Sequence, residues 1–73
     1  LVRMQAAVRM PEGAPSADTV TTVLEALAVD LNAPKAVRAL HAWTEATLDG
    51  VGGEAGAGER IRAVADAALG LEL

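Results

Sequence analysis

The chain contains no cysteine, no phenylalanine and no tyrosine. Without cysteine there is no disulfide or thiolate–metal staple, so a domain of 73 residues must be held by packing alone. Trp43 is the only aromatic residue, although 52% of the chain is hydrophobic. A core of Leu, Val and Ala suits closely packed helices and offers a sheet few of the residues it favours. Histidine and serine occur once each, as His41 and Ser16, which leaves little from which to assemble a nucleophile and its base. No apolar run approaches a membrane span and no secretory leader precedes one. Together with the missing cysteines, these absences make a cytoplasmic protein the expectation, with no membrane partner.

What is present is organised around residues 23–48. Val20, Val23, Leu24, Leu27 and Leu31 recur at helical spacing, and Val37, Leu40, Thr44, Thr47 and Leu48 do so again. Between them lies Pro34, which lacks an amide proton and belongs in the first turn of a new helix. It disfavours helical geometry at Ala33, which marks Ala33 as N-cap and Pro34 as the first helical position. Two helices therefore meet at a tight corner and fold back on each other. Val23, Leu24, Leu27, Leu31, Val37, Leu40 and Leu48 are the expected core.

On either side the elements are shorter. Leu1, Met4 and Val8 share a helical face, with Arg3, Gln5 and Arg9 on the opposite side. The chain begins in mid-pattern, without a methionine or a cap, as expected of a piece of a longer protein. Pro11, Gly13 and Pro15 form a stiff connector, after which Ser16 or Asp18 can cap the next helix. Thr19 to Val23 is uniformly β-branched, but its apolar period continues as a helix. Gly50–Gly58 holds five glycines and reads as a flexible connector. Its Gly-x-Gly-x-x-Ala pattern is preceded by a helix rather than a strand, which argues against a dinucleotide loop. A last helix, Glu59–Leu69, faces inward through Ile61, Val64, Ala65, Ala68 and Leu69, with Gly70 as a left-handed cap and Leu71 and Leu73 folding back. The fold class expected is all-α, a single bundle of about four helices spanning residues 1–73.

No residue is expected to be catalytic, cofactor-binding or metal-binding. His41 has only Glu45 at chelating helical spacing, too few ligands for zinc. Glu25 and Asp30 do not share a helical face. In size and charge the chain is similar to an acyl carrier protein, but Ser16 sits in Pro-Ser-Ala rather than the Asp-Ser-Leu that takes a phosphopantetheine arm. Lys35, Arg38, Arg60 and Arg62 lie near helix starts, and Glu45 and Asp49 near a helix end, all against the helix dipole. A pairing of Lys35 or Arg38 with Asp30 across the corner would account for part of this. Contact with another domain or an anionic ligand would account for the rest. Trp43 reads as a packing anchor.

The corner carries a resemblance. Leu27–Leu40, L-A-V-D-L-N-A-P-K-A-V-R-A-L, resembles the C-terminal helical segment of the cysteinyl-tRNA synthetase family. It is most similar to that family's mycothiol-biosynthesis branch, the cysteine:glucosaminyl-inositol ligases. Pro11–Pro15, Trp43 and the terminus Ala67–Leu73 extend the likeness along nearly the whole chain. Val29 departs from the acid usual in the family, and Asn32 stands where the ligases would have Asp. For the parent protein the resemblance implies ATP-dependent adenylation of cysteine, transfer to a sugar amine, and a zinc ion gripping the thiol. None of the corresponding motifs matches a position here. The chain itself is thus expected to be an accessory domain without cofactors. Its partner would be an N-terminal catalytic domain of the same polypeptide, and small-molecule substrates would be reached only through that parent. The alternatives are a tRNA-contacting domain of a cysteinyl-tRNA synthetase and a stand-alone protein-interaction bundle. Six basic residues against ten acidic ones, a net charge of −4, argue against specific tRNA binding.

Overall fold

A computed structural model describes residues 2–29, 31–71 and 73. Among the described residues there are four helices: α1 (Val2–Val8), α2 (Ala17–Ala28), α3 (Ala33–Leu48) and α4 (Ala57–Leu69). The all-α bundle expected from the sequence is what forms. A two-residue antiparallel pair, β1 (Glu12–Gly13) with β2 (Glu54–Ala55), is added to it. Its register places Glu12 opposite Ala55 and Gly13 opposite Glu54. The glycine-rich stretch is therefore not merely a flexible connector: it crosses back and is stitched to the α1–α2 linker.

The core is built on smaller residues than the sequence pattern implies. Val23, Ala26, Ala36, Leu40, Trp43, Ile61, Val64 and Ala65 are buried with Met4, Ala7 and Val8 in one cluster. Leu27, Leu48, Leu69, Leu71 and Leu73 pack half-buried around it, and Val37 is half-buried as well. Leu24 and Leu31, expected inside, are 48% and 85% exposed. The inward face of α2 is centred on Val23 and Ala26, one position round from the leucines, because an alanine lets the neighbouring helices approach. Thr44 is fully buried at little cost, since its hydroxyl donates to the Leu40 carbonyl one turn earlier at 2.8 Å.

The close approach is sharpest between α1 and α4. A Cβ on Gly58 would sit 2.1 Å from the Val8 carbonyl oxygen, so only glycine fits. Ala7 and Ala57 are likewise fully buried.

At the corner, α2 ends at Ala28 and Leu31 adopts a left-handed φ of 49°. That geometry costs a leucine about 1–2 kcal/mol and throws its side chain outward. The Asn32 amide turns back to the Ala26 carbonyl. Asn32, not Ala33, is the N-cap of α3: its side chain accepts the Lys35 amide at 3.1 Å, and Pro34 follows in the first turn. Alanine has no acceptor to offer, so the amide one residue earlier in the chain takes the role. The proposed ion pair to Asp30, and the packing of Leu1, lie outside the described residues.

Two helices end on glycine: Gly70, as the sequence suggests, and Gly50, which the sequence places only in the glycine-rich connector. After α3, Gly50 (φ 97°) lets the Val51 amide reach the Ala46 carbonyl and its own amide reach Thr47, a Schellman turn. After α4, Gly70 (φ 68°) directs Leu71 back onto the core.

Leu40→Ala should cost about 2–5 kcal/mol of unfolding free energy, the range for emptying a full leucine site. Leu24→Ala should stay within about 0.5 kcal/mol, as for a surface change. Denaturant titration of the two variants checks the assignment; equal losses would put the inward face of α2 elsewhere.

Candidate functional site

The densest polar arrangement is where the α1–α2 linker meets α3 and the glycine-rich loop. The Ala14 carbonyl accepts the Trp43 indole N–H at 2.8 Å, and the Ala14 amide donates to Thr47 Oγ1 at 3.1 Å. Both groups are buried, as are the two side chains, which stand one turn apart on α3. Gly13 lies flat against the indole: a Cβ there would be 2.8 Å from Trp43 Cζ2. Trp43 is thus the packing anchor expected, with its polar end used to hold backbone.

Next along the chain, Ser16 is buried and its hydroxyl and amide both donate to the Glu54 carboxylate. Ser16 occupies the N-cap position of α2, but its hydroxyl is spent on Glu54 rather than on the helix amides. The Ser16 hydroxyl and amide hold the Glu54 carboxyl below its ordinary value, and Arg60, 3.4 Å away, acts in the same direction. A serine so placed is unavailable for attachment of a prosthetic arm. Nothing local in the sequence pairs Ser16 with a lone acid 38 positions on, and the clasp could not have been read there.

Three of the charges that oppose the helix dipoles, Glu45, Arg60 and Arg62, have ion-pair partners. Arg3 on α1 forms an ion pair with Glu45, which raises the pKa of Arg3, and Asp49 adds to the effect. Arg60 reaches Glu54, and Arg62 lies 3.8 Å from Glu59. Lys35 and Arg38 are exposed near the corner and have no ion-pair partner among the described residues.

His41 is exposed on α3, and Glu45 is engaged by Arg3. Among the described residues no group of three His, Asp or Glu side chains converges. Glu45 and His41 alone do not make the three or four ligands that zinc needs. The Gly50–Gly58 stretch follows a helix and pairs as β2, so its glycines do not form the strand–loop–helix phosphate cradle either. One cleft of about 640 Å3 is lined by Glu59, Arg62, Ala63, Asp66, Leu71 and Leu73. Its single cation is flanked by two acids on the same helix. A smaller one of about 280 Å3 lies between Met10, Pro11, Val51 and the adjoining glycines. No helix among the described residues is long and apolar enough to cross a membrane.

The architecture is that of a small all-α bundle domain with one pinned linker. No protein-family model matches the chain. Along its length, however, it matches the C-terminal part of a set of cysteine ligases. It is 42% identical over 74 aligned positions to the L-cysteine:1D-myo-inositol 2-amino-2-deoxy-alpha-D-glucopyranoside ligase of Streptosporangium roseum. It is 42% identical over 71 positions to the ligase of that name from Kineococcus radiotolerans, and 40% over 73 to that of Mycobacterium marinum. These matches cover 97–100% of this chain but only 17–18% of the relatives' length. The resemblance drawn from Leu27–Leu40 therefore extends from end to end, and to the ligases in particular.

The Glu54 clasp has a pH signature. A carboxyl lowered on folding contributes stability that is fully present above its unfolded value, near 4.5, and is lost as pH falls through the folded value. Glu54→Gln should remove that component. Denaturation midpoints of wild type and variant, measured from pH 7 to pH 3, should differ most at neutral pH and converge in acid. Parallel curves would show that the clasp carries no linked proton.

Proposed function

We propose that this chain is the C-terminal helical accessory domain of an ATP-dependent ligase that joins cysteine to the amine of glucosaminyl-inositol in mycothiol biosynthesis. The observation that carries the proposal is the end-to-end match, at 38–42% identity, to ligases whose names state those two substrates. In this reading the adenylation of cysteine, its ATP and its zinc belong to the remainder of the polypeptide. The described residues contribute a rigid bundle, and the supporting fact is that its buried polar side chains, and several at its surface, are engaged in holding it together. Trp43 and Thr47 bind backbone, Ser16 binds Glu54, and Glu45 binds Arg3.

Charge favours this over the tRNA-contacting alternative. Among the described residues Arg3, Arg60 and Arg62 are in ion pairs with acids, and all six basic residues are outnumbered by ten acidic ones. Specific nucleic-acid complexes commonly neutralise about 6–10 phosphates.

The polypeptide that carries this chain at its C-terminus should ligate cysteine to glucosaminyl-inositol with consumption of ATP, without preferring cysteine tRNA to a control tRNA. The isolated chain should catalyse no cysteine-dependent ATP–pyrophosphate exchange. Salt-sensitive, selective binding of cysteine tRNA with no product on the amino sugar would favour the synthetase instead.

A further inference from the structure

Among the described residues, three of the six exposed large apolar side chains gather on the outer side of the α2–α3 corner. Leu24 is 48% exposed, Val29 75% and Leu31 85%, and Ala28 and Pro34 are exposed beside them. Leu24 and Ala28 are one turn apart on a single face of α2, Val29 caps the helix, and Leu31 comes two positions later, after Asp30, which lies outside the described residues. Pro34, Lys35 and Arg38 continue the surface on the first turns of α3, again at neighbouring helical positions. The result is an apolar corner with two cations on one edge and Glu25 on the other, all exposed. Leu31 is the telling residue: glycine would adopt its left-handed φ without strain, and a leucine there buries almost nothing within this domain. A large apolar side chain kept in a costly conformation, pointing outward, has its contacts elsewhere.

We infer that this corner, centred on Leu24, Val29 and Leu31 and edged by Lys35 and Arg38, is the surface on which the domain docks against the rest of the same polypeptide. The inference rests on the ligase reading above. It commits to that occupant because the relatives' matched length is only about 18%, so the larger part of such a protein lies outside this bundle and is tethered to it. Tethering raises the effective concentration to the point where a modest patch suffices. The complementary surface is expected to be apolar with carboxylates opposite Lys35 and Arg38. A hydrophobic centre with charges at its edge is the usual anatomy of such contacts.

The test uses the full-length polypeptide and reads domain release rather than catalysis. Limited proteolysis of the connection to this bundle is timed for wild type, Leu24→Asp/Leu31→Asp, Leu31→Gly and Val2→Asp. Val2 is 79% exposed on α1, away from the corner, and serves as control. Docking at the corner predicts release about ten-fold faster for the Asp pair and clearly faster for Leu31→Gly, with Val2→Asp at the wild-type rate. Leu31→Gly is decisive because it relieves the left-handed strain and removes a side chain that buries little within the bundle, and an unchanged denaturation midpoint shows that any faster release is not unfolding. Wild-type rates for both corner variants, or acceleration by the Asp pair alone, would overturn the inference. So would a dimer, seen by sedimentation, that Leu31→Gly dissolves while release is unchanged, since the occupant would then be a second copy. Absence of ligase activity in the wild-type polypeptide would instead count against the functional reading, which the proteolysis does not depend on.

Discussion

The bundle depends on how one backbone unit is held. Ala14 lies in a linker between two prolines, where no helix or strand partner is available for its amide and carbonyl. Both are buried, and a buried backbone group left unpaired costs about 1–3 kcal/mol. Two side chains one turn apart on α3 meet both needs: Trp43 donates to the carbonyl and Thr47 accepts from the amide. With Ala14 fixed, Gly13 must lie against the indole ring, which places β1 where β2 can pair with it. That pairing brings Glu54 to Ser16 and sets the start of α2. The glycine-rich stretch is ordered through this chain of contacts and not through any preference of its own.

The helices are legible because period 3.6 survives in a Leu-, Val- and Ala-rich chain, and Pro34 and Gly70 mark two of their ends by simple steric rules. The inward face of α4 came out almost residue for residue. The inward face of α2 did not, because a pattern weighted by side-chain size favours Leu24 over Ala26, whereas tight helix contact favours the alanine. Proline's restriction on its predecessor points to Ala33 as the cap, whereas the side-chain acceptor that capping needs lies one residue earlier, on Asn32. The β1–β2 pair and the Ser16–Glu54 clasp join residues about 40 positions apart, and no local signal in the sequence links them.

The same economy bears on function. Of the side chains that could suggest chemistry, the one serine is held by Glu54, the one tryptophan by backbone and Glu45 by Arg3, while His41 stands exposed on α3. What remains uncommitted lies at the surface, chiefly at the α2–α3 corner, where the Leu27–Leu40 motif that carries the ligase resemblance also lies. A motif whose exposed residues are costly to the isolated fold is understandable if those residues face another part of the protein.

The central claim is that the Ala14 linker is an integral part of the bundle rather than a loop laid over it. Native-state hydrogen exchange at the Ala14 amide tests this directly. If the Thr47 and Trp43 contacts hold the linker as described, this amide should exchange only by global unfolding. Its protection should then match the unfolding free energy obtained from denaturant titration and fall in step with it as denaturant is added. Exchange through a small local opening, independent of denaturant and well below the global value, would contradict the account.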